Sequence, residues 1–172
     1  MQQLCFFEKT EGRFWKDLKS GKFAKMVIKE SKGQYLKGST EAFHVMKPIF
    51  AEVDDIERMF CIFMDQKNNI KSIDKVSEGS LNSASIYPRE LIKKAIKCKA
   101  ASVVISHNHP SGDPAPSRED RALTLKLVFS FKAVDINLLD HIVVGNRSYY
   151  SFADDGVMAE LNQKFQEVTS LF

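Results

Sequence analysis

Two histidines one residue apart, His107 and His109, open the run His-Asn-His-Pro-Ser-Gly-Asp-Pro-Ala-Pro-Ser-Arg-Glu-Asp, which closes on Asp120. In a strand, side chains two apart share a face, so both imidazoles can address one ion while Asn108 turns away. Two imidazoles and a carboxylate suit Zn²⁺ in its catalytic form, where three protein ligands leave a fourth position for a water whose pKa falls toward about 7. Such a site needs a proton acceptor from elsewhere in the chain. Glu57, preceded by Asp54 and Asp55 at the head of an apolar run, is placed to reach it from the end of a sheet. Ser117 is a candidate hydrogen-bond donor to the oxyanion of a tetrahedral intermediate. Together these residues point to metal-dependent hydrolysis.

The elements that must hold them are legible around the run. Residues 101–107, Ala-Ser-Val-Val-Ile-Ser-His, carry the β-branched core of a buried strand and deliver the first histidine. Pro110 cannot donate to a ladder and Ser111-Gly112-Asp113-Pro114 is turn chemistry, so the chain leaves the sheet there. A helix is expected from about Ser117 to Phe131, with Asp120 in its first turn and Leu123, Leu127, Val128 and Phe131 inward. Glu57 to Met64, a polar turn over 65–69 and Ile70 to Ile73 read as strand, turn, strand. Pro88 opens a helix whose apolar stripe is Leu91, Ile92, Ala95, Ile96 and Ala100, with Lys93, Lys94, Lys97 and Lys99 mainly off it. Residues 136–144 form a strand, Gly145-Asn146 a turn, 149–152 a short strand, and 157–172 a terminal helix with Leu161, Phe165 and Val168 inward. Upstream, Phe43, Val45, Met46, Ile49 and Phe50 predict a helix over 41–50, capped by Ser39 or Thr40, while residues 25–29 predict a short strand. Phe6, Phe7, Phe14 and Trp15 are interleaved with charges, and residues 1–50 read as an extension packed on the core.

Composition bounds the rest. A chain of 172 residues with 44% hydrophobic content buries a real core and usually forms one domain. Three cysteines, odd in number and without Cys-x-x-Cys spacing, fit neither a disulfide framework nor a zinc ribbon and favour a reducing cytoplasm. No segment has the apolar stretch of a leader or the roughly 18 apolar residues of a membrane span, so the expectation is a soluble, unprocessed, cytoplasmic chain. A net charge of +3 admits nucleic acid as a partner without arguing for it. Simpler roles compete for the same residues. Ser117-Arg118-Glu119-Asp120 is also an ordinary helix N-terminus, Glu57 also a solvated strand-end carboxylate, and Asp120 also a complement to the helix dipole. His141, beside Asp140, is either a hydrogen-bond partner behind a ligand or a core histidine. The lysine row over 93–99 is most simply a solvated helix face.

His-x-His, seven residues, Ser, two residues, Asp resembles the signature of the JAB/MPN metalloprotease family, also called JAMM. The fuller run His-Asn-His-Pro-Ser-Gly-Asp-Pro-x-Pro-Ser-x-x-Asp resembles its RadC-like branch over roughly residues 50–156. Tyr87-Pro88-Arg89-Glu90 upstream, residues 139–145 (Leu-Asp-His-Ile-Val-Val-Gly) downstream and Glu57-Arg58-Met59-Phe60 are similar to that branch too. The resemblance implies an α/β fold, a three-layer α/β/α arrangement of the cytidine-deaminase-like group with a curved mixed β-sheet flanked by helices. Its domain would span 51–156, between the extension over 1–50 and a C-terminal helix over 157–172. It implies His107, His109 and Asp120 as zinc ligands, Glu57 as general acid/base, Ser117 as oxyanion donor, and a peptide or isopeptide bond as substrate. Longer RadC-like proteins join a helix-hairpin-helix region to this domain, and no such glycine-bearing repeat appears in residues 1–50. Two other classes of function stay open: a DNA-repair-associated nucleic-acid accessory module, and a metal-stabilised interaction domain without turnover. The sequence assigns neither the physiological substrate nor the oligomeric state.

Overall fold

Alternation along one buried strand sets the architecture. In β1 (Arg58–Met64), Met59, Cys61 and Phe63 enter one apolar cluster while Phe60, Ile62 and Met64 enter another, and all six are buried. A strand apolar on both faces has to be covered on both. In the computed structural model, which describes residues 16–18, 20–51, 56–79 and 86–171, it is the second strand of a five-stranded open sheet flanked by helices.

The strand order is β2-β1-β3-β4-β5, with β2 (Ile70–Glu78), β3 (Ser102–Asn108), β4 (Asn137–Val144) and β5 (Tyr149–Ser151). β3 and β4 are parallel and every other pairing is antiparallel, so the sheet is mixed. Two helices on one face, α1 (Lys22–Glu30) and α2 (Ser39–Phe50), bring Ala24, Phe43, Met46, Ile49 and Phe50 to the Phe60 and Ile62 side. Three more, α3 (Pro88–Cys98), α4 (Arg118–Lys132) and α5 (Val157–Thr169), bring Leu91, Ala95, Leu123, Leu127, Phe131 and Leu161 to the other. The expected α/β fold, with a mixed sheet flanked by helices, is the observed one.

Several local expectations are corrected. Residues 25–29, expected as a strand, lie inside α1. Ala24 is buried with Val27 and Ile28 packed beside it, while Met26 is 53% exposed, which is a helical period that two β-branched residues had masked. Ser39 is the first residue of α2 rather than its cap. Gly38 precedes it with no side-chain cap, and the Ser39 hydroxyl bonds Asp154 instead. Ile96 and Val168, expected inward, are exposed: Ile96 falls at the edge of the α3 apolar arc beyond Leu91 and Ala95, and Val168 lies in the last turn of α5, two turns past the buried Leu161. β2 runs on to Glu78, five residues past its expected end. The N-terminal aromatics Phe6, Phe7, Phe14 and Trp15, and the Asp54-Asp55 pair, lie outside the described residues.

Candidate metal centre

The two histidines come from the end of β3. His107 is fully buried on the face that α4 covers. His109 lies one residue past the strand, where its N–H still donates to Val144 O at 3.0 Å and so extends the ladder. The antiparallel register pairs Met59 with His107, so Glu57, two residues before Met59, is carried toward His109, two residues after His107. Glu57 precedes β1 but its backbone is well held. Gly79 N–H donates to Glu57 O at 2.9 Å. The Asn108 amide grips both flanks, with Oδ1 accepting from Arg58 N–H at 2.8 Å and Nδ2 donating to Ile56 O at 3.1 Å. Asn108, turned away from the two imidazoles, thus fixes the segment that carries Glu57.

Asp120 arrives on the first turn of α4 through a capping box. Ser117 Oγ accepts from Asp120 N–H at 3.1 Å, while Asp120 Oδ2 accepts from Ser117 N–H at 2.8 Å and from Ser117 Oγ–H at 2.6 Å. The helix N-terminus read from the sequence is thus a closed capping box. The cap occupies one carboxylate oxygen and aims the other, Oδ1, at His107 Nε2, 3.2 Å away. In this arrangement the Ser117 proton is directed to Asp120.

Ligand atoms of Glu57, His107, His109 and Asp120 all lie within 4.8 Å of one another, so the four groups could hold a metal ion. The two Nε2 atoms are 2.9 Å apart, His109 Nε2 is 3.5 Å from Asp120 Oδ2, and Glu57 Oε1 is 3.8 Å from His107 Nε2. Ligands about 2.0–2.2 Å from a tetrahedral ion stand roughly 3.3 Å apart, so these separations fit. The donor chemistry fits as well. His109 Nδ1 lies 2.7 Å from Asp113 O, a carbonyl that can only accept, so in the neutral ring Nδ1 carries the proton and Nε2 keeps the lone pair on the cluster side.

The electrostatics agree. Hydrogen bonding to Asp120 raises His109 above the ordinary imidazole range despite partial burial. Burial pushes the Asp120 carboxyl up, but hydrogen bonding to His107 and His109 outweighs it and holds the group well below the usual carboxylate range. Both shifts mean that these atoms attract positive charge.

Behind His107 stands His141, whose place the sequence left open. It is fully buried, stacks on Phe152 at 4.8 Å between centroids, sets Nε2 2.8 Å from His107 Nδ1, and sets Nδ1 2.7 Å from Thr124 Oγ1. Burial lowers it well below the ordinary imidazole range. Thr124, which sequence reasoning missed, bonds Asp120 O at 2.6 Å from one turn further along α4. Its one signal is a threonine four residues after Asp120, on the same helix face.

The loop over 110–114 is held from outside. Asn146 N–H donates to Gly112 O at 3.1 Å, and a Cβ on Gly145 would collide with that same oxygen. Clefts open on either side of His109. One, of about 330 Å³, is lined by Glu57, Ser117, Glu119 and Asp120; the other, of about 270 Å³, by Lys47, Asn108, Asn146 and Arg147. Among the described residues, no helix is long and apolar enough to cross a membrane.

A family model described as the RadC-like JAB domain matches residues 36–157. A UPF0758 protein of Actinobacillus pleuropneumoniae serotype 5b (strain L20) is 45% identical over 107 residues, covering 61% of this chain and 49% of its own length. One from Methanococcoides burtonii is 40% identical over 124 residues, covering 72% of this chain and 54% of its own. One from Methanosarcina mazei is 47% identical over 100 residues, or 58% and 44%. The chain spans about half the length of the curated relatives it matches. With the sheet, the His-x-His strand end and the capped aspartate matched along 36–157, the chain belongs to the RadC-like JAB domain family.

Proposed function

We propose that the chain is a zinc-dependent hydrolase of peptide or isopeptide bonds. The observation that carries this reading is the convergence of Glu57, His107, His109 and Asp120 at the end of one sheet. His107 Nε2, His109 Nε2 and the Asp120 carboxylate would hold the ion. Bound Zn²⁺ supplies Lewis acidity, lowering the pKa of a water and polarising a substrate carbonyl. Glu57, 23% exposed in the cleft it shares with Ser117, accepts the proton of the attacking water and returns it to the leaving amine nitrogen. Ser117 turns its hydroxyl proton from Asp120 to the developing oxyanion. Asn108 keeps Glu57 in place through the two backbone bonds beside it.

The competing reading, a nucleic-acid accessory module, relies on Lys93, Lys94 and Lys97 of α3. All three are exposed, and Lys94 stands 3.7 Å from Asp74. Elemental analysis of protein purified without added metal or chelator separates the readings. The hydrolase gives about one zinc per chain, lost in His109→Ala, and Glu57→Gln keeps the zinc while losing about 10²–10⁴-fold in turnover on peptide and isopeptide panels. No zinc uptake by the folded chain overturns the catalytic reading. DNA binding that weakens with salt and with loss of those lysines would favour the accessory module.

A further inference from the structure

Behind His107 runs a buried chain of hydrogen bonds whose direction is fixed at its far end. The Thr124 hydroxyl has one proton and two neighbours, Asp120 O at 2.6 Å and His141 Nδ1 at 2.7 Å. A carbonyl oxygen only accepts, so the proton goes to Asp120 O, and Thr124 Oγ1 must then accept from His141 Nδ1–H. His141 has no carboxylate among these partners and is fully buried, so it is neutral and its Nε2 is a bare acceptor. The proton between the two rings therefore belongs to His107 Nδ1. We propose that His141 and Thr124 are positioning residues that lock His107 in the Nδ1–H tautomer and so present its Nε2 lone pair to the metal.

The proposal rests on His107 being a metal ligand. Its distinctive feature is that it begins and ends beside Asp120. From Asp120 O the chain passes through Thr124 and His141 to His107, whose Nε2 lone pair faces the Asp120 side chain 3.2 Å away. One residue thus supplies a candidate ligand through its carboxylate and the tautomer of a second through its carbonyl. The partners that orient ligand histidines are commonly carboxylates, backbone carbonyls or water. Here a carboxylate behind His107 would add a second buried negative charge close to Asp120, whereas a neutral imidazole between Thr124 and Phe152 leaves the layer uncharged.

Two measurements test this, one of which needs no metal. Long-range ¹H–¹⁵N correlation spectra of the metal-free protein should show His141 and His107 each protonated at Nδ1. A proton on His141 Nε2 would overturn the relay. The second is zinc affinity by chelator competition across paired variants. His141→Leu, with no acceptor for His107 Nδ1–H, should weaken binding about 10–100-fold. His141→Gln, whose Oε1 can accept that proton, should stay within a few fold of the unaltered protein. Equal losses for Leu and Gln that follow thermal stability would reduce His141 to a packing residue. Should neither fold, Thr124→Val against Thr124→Ser makes the same comparison, with weakening expected only for Val. Failure of the unaltered chain to bind zinc would sink the ligand reading, whereas the tautomer spectra judge the relay independently.

Discussion

His107 and His109 stand two residues apart in the chain and are held by opposite means. His107 is sealed in the core, with its Nδ1 tied to a side chain from β4 that is itself tied to α4. His109 is on the rim, and its Nδ1 is tied to a backbone carbonyl of its own loop, four residues on. The inner histidine is therefore specified by the packing of three elements, and the outer one by the shape of a short loop. The difference matches their surroundings. The inner ring meets no solvent, while the outer one walls both clefts, where a substrate would have to arrive. Rigidity on one side and access on the other is what an open metal position requires.

The sharpest way to break this comparison is to disturb the loop without touching the core. Gly145→Ala would drive a methyl group into Gly112 O and displace the 110–114 loop that anchors His109. Overpacking of this kind costs about 1–3 kcal/mol. The expected outcome is zinc affinity reduced at least about tenfold, with the His107 and His141 tautomers unchanged. If the spectra of the inner pair moved as well, the two halves would not be separable. A smaller effect is expected from Asn108→Ala, which acts on the segment that carries Glu57. Arg58 N–H and Ile56 O would lose their side-chain partner, at a cost of about 1–3 kcal/mol. Zinc content should stay at the level of the unaltered chain while the Arg58 amide loses its protection from hydrogen exchange. Unchanged Arg58 exchange would mean that Asn108 is not what holds the Glu57 segment.

The same division explains how much was legible in the sequence. His107, His109 and Asp120 could be read because strand period and a helix cap are local rules that place side chains without knowledge of the rest of the chain. The strand, the helix and the next strand that carry them could each be read for the same reason, though not the parallel pairing of the two strands. Thr124 could not, because a threonine among Leu123, Leu127 and Val128 follows the apolar pattern of α4 as well as a valine would. His141 stayed undecided because its partner lies 34 residues away, across a parallel pairing that only the folded sheet sets. α1 was misread as a strand because Val27 and Ile28 carry the β-branched signal while the face they share with Ala24 is defined by the tertiary cluster.

The smallest expected effect concerns the corner that holds His141 from behind. Asp140 accepts from His141 N–H at 2.7 Å, Ala153 N–H at 2.9 Å and Ser151 Oγ–H at 2.7 Å, three donors that favour the carboxylate. Burial works against them and dominates, pushing Asp140 up to about 6. An unfolded aspartate titrates near about 3.9, so over this interval the folded chain binds the extra proton. The linked stability is fully present below about pH 4 and is lost as pH rises through about 6. Asp140→Asn removes that titration while keeping an acceptor oxygen for the two N–H groups, and the Ser151 hydroxyl can rotate to accept from the new amide. Urea unfolding of both proteins at pH 4 and pH 7 isolates the effect, because every other titrating group is common to the pair. The unaltered chain should lose stability relative to Asp140→Asn across that interval. A flat difference would mean that the three donors match the cost of burial, and a difference of opposite sign would mean that they exceed it. In either case Asp140 would keep its charge through neutral pH while accepting the His141 N–H behind the inner half of the site.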